Sequence, residues 1–114
     1  MGTPTEEEIT AMNPDYQNKQ LPRVLGMEWS AIFPEHVDKK AIDLVDKMLR
    51  YNPKTRINLY QALCMPLFDE LREDGLVLPN GNCIPDLFNW SDTEKLMMGR
   101  DDIRDILCPK WYDP

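Results

Sequence analysis

Hydrophobic and polar positions alternate with a helical period through the middle of the chain, over residues 40 to 71. Ile42, Val45 and Leu49 recur at intervals of three and four residues, which places them on one face of a helix. The Asn52-Pro53 pair should end this helix, because proline lacks an N–H group and disfavours helical backbone in the residue before it. A second helix is expected after a short basic turn.

The same patterns and the capping residues around them predict helices along most of the chain. A capping box with proline at the first helical position is expected at Thr3 to Glu6, a second box at Ser91 to Glu94, and a single cap at Asp38. The six predicted segments are residues 4 to 12, 29 to 33, 39 to 50, 59 to 64, 67 to 73 and 92 to 107, the last interrupted at Gly99. The predicted class is therefore all-α, with at most traces of strand.

Composition narrows the kinds of partner. The 114 residues are 42% hydrophobic and 29% charged, which is typical of a globular domain. Apolar runs are all much shorter than the roughly 20 residues of a membrane span, so no membrane partner is expected. A net charge of −7 repels phosphate backbones and argues against nucleic acid. The three cysteines show neither a disulfide nor a zinc-binding spacing, which fits a cytoplasmic protein, with the nucleus as a second compartment.

Several stretches resemble the protein kinases. The run from Leu44 to Phe68 holds a helix, an Asn-Pro-x-x-Arg turn and a second helix, and it resembles the last two core helices of the kinase C-terminal lobe. Three further stretches narrow the resemblance to the glycogen synthase kinase-3, or shaggy, family of serine/threonine kinases: Gly2-Thr3-Pro4-Thr5, Met12-Asn13-Pro14-Asp15-Tyr16 and Leu78-Pro79-Asn80-Gly81. The similarity covers roughly residues 2 to 90.

This resemblance implies an architecture. Residues 1 to 90 would be the last helices of the C-lobe, with an irregular insert loop at about 13 to 35, and residues 91 to 114 would be a helical tail. The parent protein would be a kinase that uses ATP and Mg²⁺. This part of it would supply structure and a docking loop, and its partners would be the rest of the kinase domain and helical scaffold or regulator proteins.

The candidate docking residues lie in the insert. In the resembled family, the extended part of this insert forms one wall of a groove for helical partners, and Tyr16 and Leu21 match groove-facing apolar positions. Lys19 stands where the family usually has an aromatic residue, so its partner specificity would differ. The alternative is that Tyr16 and Leu21 simply hold the loop against its own domain.

Catalytic chemistry is not expected from this chain alone. Its five glycines never cluster, so no phosphate-binding loop can be placed, and no cofactor or metal site is predicted. His36, Asp38 and Lys40 echo a kinase catalytic loop, but the position where magnesium binding needs an asparagine is Asp43. Asp38 is better explained as a helix cap.

Arg56 carries a further implication of the resemblance. In intact kinases the matching arginine pairs with the glutamate of an upstream Ala-Pro-Glu motif, which this chain does not contain. Arg56 should then be exposed, or paired with another carboxylate. The missing lobe should also leave apolar faces uncovered on residues 41 to 49 and 59 to 63, leading to self-association unless the tail at 85 to 111 covers them.

Two functions therefore remain open. The first is a C-lobe fragment of a shaggy-like kinase, and the second is a free-standing helical protein-interaction module. The length of the native gene product distinguishes them.

Overall fold

The computed structural model describes residues 1–16 and 21–113. Its helices are α1 (Glu6–Met12), α2 (Trp29–Ile32), α3 (Lys39–Met48), α4 (Leu59–Leu63), a 3₁₀ helix (Pro66–Arg72), α5 (Asp92–Met98) and α6 (Asp101–Leu107). Within the described ranges, the strand-like pairing is one isolated antiparallel bridge between Val77 and Cys83. The helical prediction is confirmed, and its segments agree with these helices to within a few residues.

Local capping explains why most helix ends were predictable. The Asp38 carboxylate accepts a hydrogen bond from the Lys40 amide at 2.8 Å, and Ser91 and Glu94 form a reciprocal capping box at the start of α5. Gly99 ends α5 with a φ of 72°, in the left-handed region that favours glycine. These signals depend on neighbouring residues alone, so they can be recognised in the sequence.

The predicted start of α1 is wrong. The capping box is formed by Thr5 and Glu8, not by Thr3 and Glu6, and the helix begins at Glu6. The Thr3 hydroxyl instead bonds the backbone at Pro22 and Val24. A hydroxyl engaged in these two bonds is not available as a helix cap.

The described chain divides into two compact units, Met1–Asn58 and Leu59–Pro114. This boundary rests on contacts, whereas the expected division at residue 90 rests on the family resemblance. The two units are described separately below.

One side-chain hydrogen bond connects α2 to α3 in the first unit. The Trp29 indole N–H donates to the Asp46 carboxylate at 2.8 Å, and the Trp29 ring stacks on Phe33 with 6.1 Å between ring centroids. Leu44 is buried on α3, whereas Met48 and Leu49 are 48% and 46% exposed. Apolar side chains at the C-terminal end of α3 are thus partly open to solvent.

A compact apolar cluster stabilises the second unit. Met98, Ile103 and Leu107 are buried there, and the residues packed against them are Tyr60, Leu63, Cys64, Trp90 and Cys108. Tail residues therefore cover much of α4. The expectation that the face of this helix is left uncovered is wrong for Tyr60 and Leu63, although Leu59 is 68% exposed.

Arg72 satisfies the carbonyl groups at the end of α4. Its guanidinium donates to the Leu63 carbonyl at 2.6 Å and reaches the Cys64 and Met65 carbonyls at 3.5 and 3.4 Å. It also pairs with Asp69. Because the last carbonyls of a helix have no partner within it, Arg72 acts as a side-chain cap for α4.

Candidate functional site

The candidate docking residues lie beside α1. Tyr16 and Leu21 are 39% and 41% exposed, and both line a cavity of about 140 Å³. The rest of its lining comes from α1 and its flanks: Pro4, Ile9, Met12 and Asn13. Two of the three predicted docking residues are thus brought together, whereas Lys19 lies outside the described residues.

Tyr16 also borders a second, more polar cavity. This cavity has a volume of about 210 Å³ and is lined by Glu6, Ile9, Thr10 and Tyr16. Glu6 belongs to the acidic first turn of α1. The Tyr16 ring therefore separates an apolar recess from one that carries a carboxylate.

Thr3 fixes the loop that follows Leu21. Its hydroxyl donates to the Pro22 carbonyl at 2.6 Å and accepts from the Val24 amide at 2.6 Å. The Thr3 amide donates in turn to the Val24 carbonyl at 2.9 Å. One threonine thereby holds both sides of Arg23, and the loop that follows Leu21 is tied to the segment that precedes α1. We call these three bonds the Thr3 latch.

Two glycines allow the approach on which the Thr3 latch depends. Gly2 has a φ of +75°, and a Cβ built on it would lie 2.4 Å from the Gly26 nitrogen. A Cβ on Gly26 would in turn lie 2.8 Å from the Met1 carbonyl oxygen. The Tyr51 hydroxyl donates to the Gly2 carbonyl at 2.6 Å and connects this crossing to the end of α3. Any other residue at Gly2 or Gly26 would push the two backbone segments apart, because its Cβ would have no room.

Three exposed apolar side chains lie in the loop that follows the candidate docking residue Leu21. Val24, Leu25 and Met27 are 59%, 87% and 61% exposed. For Val24 and Leu25 the signal in the sequence is the lack of a clear helical period from Asp15 to Gly26. That signal predicts a loop but gives no indication of which side chains face solvent.

Asp46 lines a cavity in the first unit. The cavity measures about 360 Å³ and is lined by Met1, Glu8, Met27, Trp29, Asp46, Leu49, Arg50 and Tyr51. Hydrogen bonds from Trp29 and then Arg50 lower the pKa of the Asp46 carboxyl. One carboxylate oxygen accepts from the Trp29 indole at 2.8 Å and the other from Arg50 at 2.6 Å. Asp46 is thus an ionised structural group whose oxygens are both engaged.

Arg56 lies in the turn after α3. The turn is closed by the Asn52 carbonyl, which accepts from the Thr55 and Arg56 amides at 3.1 and 3.0 Å. The exposed Arg56 guanidinium donates to the carbonyls of Arg50 and Tyr51 at 2.9 and 3.2 Å. None of the ion pairs between described residues includes Arg56. Exposure was one of the two placements expected for it.

The sequence that echoes a catalytic loop has a structural role. Asp38 caps α3 through the Lys40 amide, and Asp43 pairs with Lys47 at 3.1 Å on the exposed surface of that helix. Both side chains therefore stabilise α3, the first as its N-cap and the second through an ion pair. His36 is exposed in the preceding turn.

Two further features, a metal-binding cluster and a membrane-spanning helix, are absent from the described residues. Over residues 1–16 and 21–113, no group of three or more His, Cys, Asp or Glu side chains is placed to hold a metal ion. None of the helices in these two ranges combines the length and the apolar composition that a bilayer-spanning helix needs.

A comparison with models of known protein families gave no match.

Proposed function

We propose that the chain is the C-terminal helical part of a serine/threonine kinase of the glycogen synthase kinase-3, or shaggy, family. In this proposal it supplies C-lobe structure and a partner-docking surface. Phosphoryl transfer, with its ATP and Mg²⁺, belongs to residues of the parent protein that lie upstream.

The observation that carries the proposal is local order at the stretches on which the resemblance rests. Thr5 of the first stretch caps α1, and the Tyr16 amide donates to the Asn13 carbonyl at 3.1 Å in the second. The Leu78–Gly81 stretch forms a turn in which the Gly81 amide donates to the Leu78 carbonyl at 2.8 Å. Each stretch thus has a defined structural use, which supports reading them as parts of one inherited architecture.

The docking role is supported by the surface around Tyr16. A partner helix would place an apolar side chain in the recess between Tyr16 and Leu21 and a basic side chain near Glu6, on the other side of the Tyr16 ring. The Thr3 latch would hold the loop in position before the partner arrives, which lowers the entropic cost of binding. Lys19 would adjust the choice of partner.

The exposed Arg56 guanidinium is compatible with a lost glutamate partner. Its hydrogen bonds to the Arg50 and Tyr51 carbonyls satisfy part of its donor capacity. In the whole kinase, the upstream glutamate would replace water around the remaining donors.

A free-standing helical protein-interaction module is the second candidate. The observation that favours it is the coverage of Tyr60 and Leu63 by Met98, Ile103 and Leu107. This packing buries apolar surface within the second unit without any upstream lobe.

The length of the native gene product distinguishes the two candidates. The kinase proposal predicts one reading frame that continues upstream of Gly2 through the catalytic and magnesium-binding motifs, with a product of correspondingly greater mass. An intact native protein of the size of this chain would contradict it. As a second measurement, titration of the 114-residue chain with Mg·ATP should give no saturable heat, whereas micromolar binding would reveal a nucleotide site in the chain itself.

A further inference from the structure

An apolar cavity lies within the second unit, between the α4 region and the tail. Its volume is about 200 Å³, and it is lined by Leu63, Phe68, Leu71, Arg72, Leu87, Phe88, Trp90 and Leu107. The Arg72 guanidinium is already engaged by Asp69 and by backbone carbonyls. The cavity therefore offers apolar surface, and its tail-side wall includes Phe88.

The end of the chain holds that wall in place. Phe88 is 8% exposed and packs edge-on against Trp111, with 5.3 Å between the ring centroids, and against Tyr112 at 5.6 Å. The Tyr112 hydroxyl donates to the Asp86 carboxylate at 2.7 Å, and the Trp111 indole N–H donates to the Arg72 carbonyl at 3.0 Å. We call this set of contacts the tail clasp.

A separate anchor holds the part of the tail that precedes the tail clasp. Leu107 is 3% exposed in the apolar cluster with Met98 and Ile103, and its carbonyl accepts from the Trp90 indole N–H at 2.8 Å. Helix α6 ends at Leu107, and Pro109 follows shortly after. The backbone hydrogen bonds of α6 therefore do not continue from the anchor into the tail clasp.

The bonds of the tail clasp lie closer to solvent than those of the anchor. Trp111 is 38% exposed, and both Tyr112 and Trp111 make their hydrogen bonds at the exposed surface. The Trp90–Leu107 bond is partly buried. Local opening is favoured where few buried apolar contacts and solvent-exposed hydrogen bonds occur together.

We propose that the tail clasp opens independently of the anchor, and that its opening uncovers Phe88 in the wall of the apolar cavity. Closed, Trp111 and Tyr112 keep Phe88 buried. Open, Phe88 and the cavity lining lose the cover of the two rings, while Leu107 stays in the cluster.

Hydrogen exchange of the two indole N–H protons, measured by NMR on the full chain, tests this proposal. Tyr112→Phe keeps the ring and removes the donor to Asp86, so it should accelerate exchange of the Trp111 indole proton by about tenfold. The Trp90 indole proton should change by less than about twofold, because its bond belongs to the anchor. Tyr60→Phe is the matched control, since Tyr60 packs on Trp90 rather than on Phe88.

The two indole protons give a distinct result for each outcome. Acceleration of Trp111 alone supports an independent clasp. Equal acceleration of both protons would mean that tail clasp and anchor open as one unit, and no acceleration of Trp111 would mean that the Tyr112–Asp86 bond does not hold the clasp. Either result overturns the proposal. Trp111→Phe, followed through the Trp90 proton, provides a second variant with the same expectation that the anchor is unchanged.

Discussion

The two units are stabilised in different ways. Of the described hydrophobic residues that are buried, only Leu44 belongs to the first unit, whereas Ala62, Phe88, Met98, Ile103 and Leu107 belong to the second. The first unit is organised by polar links such as the Thr3 latch and the Trp29–Asp46 bond. A core stabilises a unit by removing apolar surface from water, whereas polar links fix geometry and leave apolar side chains exposed. The first unit therefore keeps apolar side chains such as Val24 and Leu25 exposed to solvent.

The largest expected effect is loss of the core in the second unit. Leu107→Ala should lower the free energy of unfolding by about 2–5 kcal/mol, because it removes a buried side chain and leaves a cavity. Urea unfolding followed by intrinsic tryptophan fluorescence is the measurement. Leu96→Ala is the control, since Leu96 is 75% exposed, and a similar loss in both variants would contradict the assigned core.

The next effect concerns the glycine crossing in the first unit. Gly2→Ala should destabilise that unit by about 1–3 kcal/mol more than Gly75→Ala. Both glycines have positive φ, but a Cβ on Gly2 meets the Gly26 backbone, whereas a Cβ on Gly75 meets nothing within 4 Å. The difference in thermal stability between the variants isolates the close approach. Equal losses would show that only backbone strain matters.

A smaller effect is expected at the cap of α5. Ser91→Ala should cost about 1 kcal/mol, because the Glu94 amide loses its acceptor. Chemical denaturation is sufficient to measure it. Thr93→Ala changes an exposed position inside the same helix and serves as control. A stability of Ser91→Ala within error of this control would disprove the capping role.

The smallest effect is the pH dependence of the same capping box. Bonds from the Ser91 backbone and then from its side chain lower the pKa of Glu94 in the folded protein. The stabilisation is therefore fully present above the ordinary glutamate pKa and is lost as the pH falls through the lower, folded value. An NMR titration of Glu94 should show the low pKa, and Ser91→Ala should raise it. No change in that variant would refute the assignment.

The sequence predicted what is local in this fold. Caps such as Asp38 and Gly99 act on backbone groups within a few residues, so they mark helix ends without knowledge of the tertiary structure. The capping box predicted at Thr3 is wrong, because the Thr3 hydroxyl forms its hydrogen bonds with Pro22 and Val24, about twenty residues along the chain. Such a choice depends on which segments meet, and residue spacing alone does not contain it.

The candidate sites show the same difference between local signals, which the sequence contains, and contacts between distant segments, which it does not. Tyr16 and Leu21 could be selected in the sequence through the resemblance, but the exposure of Val24 and Leu25 depends on how the Thr3 latch orients the loop. The tail was expected either to cover the apolar faces or to leave them open. For α4 the choice is made by long-range contacts, in which Met98, Ile103 and Leu107 of the tail pack against Tyr60 and Leu63.

Amide hydrogen exchange along the whole chain tests the contrast between the units most directly. The Leu107 and Cys108 amides lie at the end of α6 beside the buried cluster, where the Cys108 amide donates to the Arg104 carbonyl at 2.8 Å, whereas the Val24 amide is held by the Thr3 hydroxyl in an exposed loop. We expect Leu107 and Cys108 to exchange at least about a hundredfold more slowly than Val24, after correction for intrinsic rates. Protection of Val24 equal to that of Leu107 would contradict the distinction between a core-stabilised unit and a unit held by polar links.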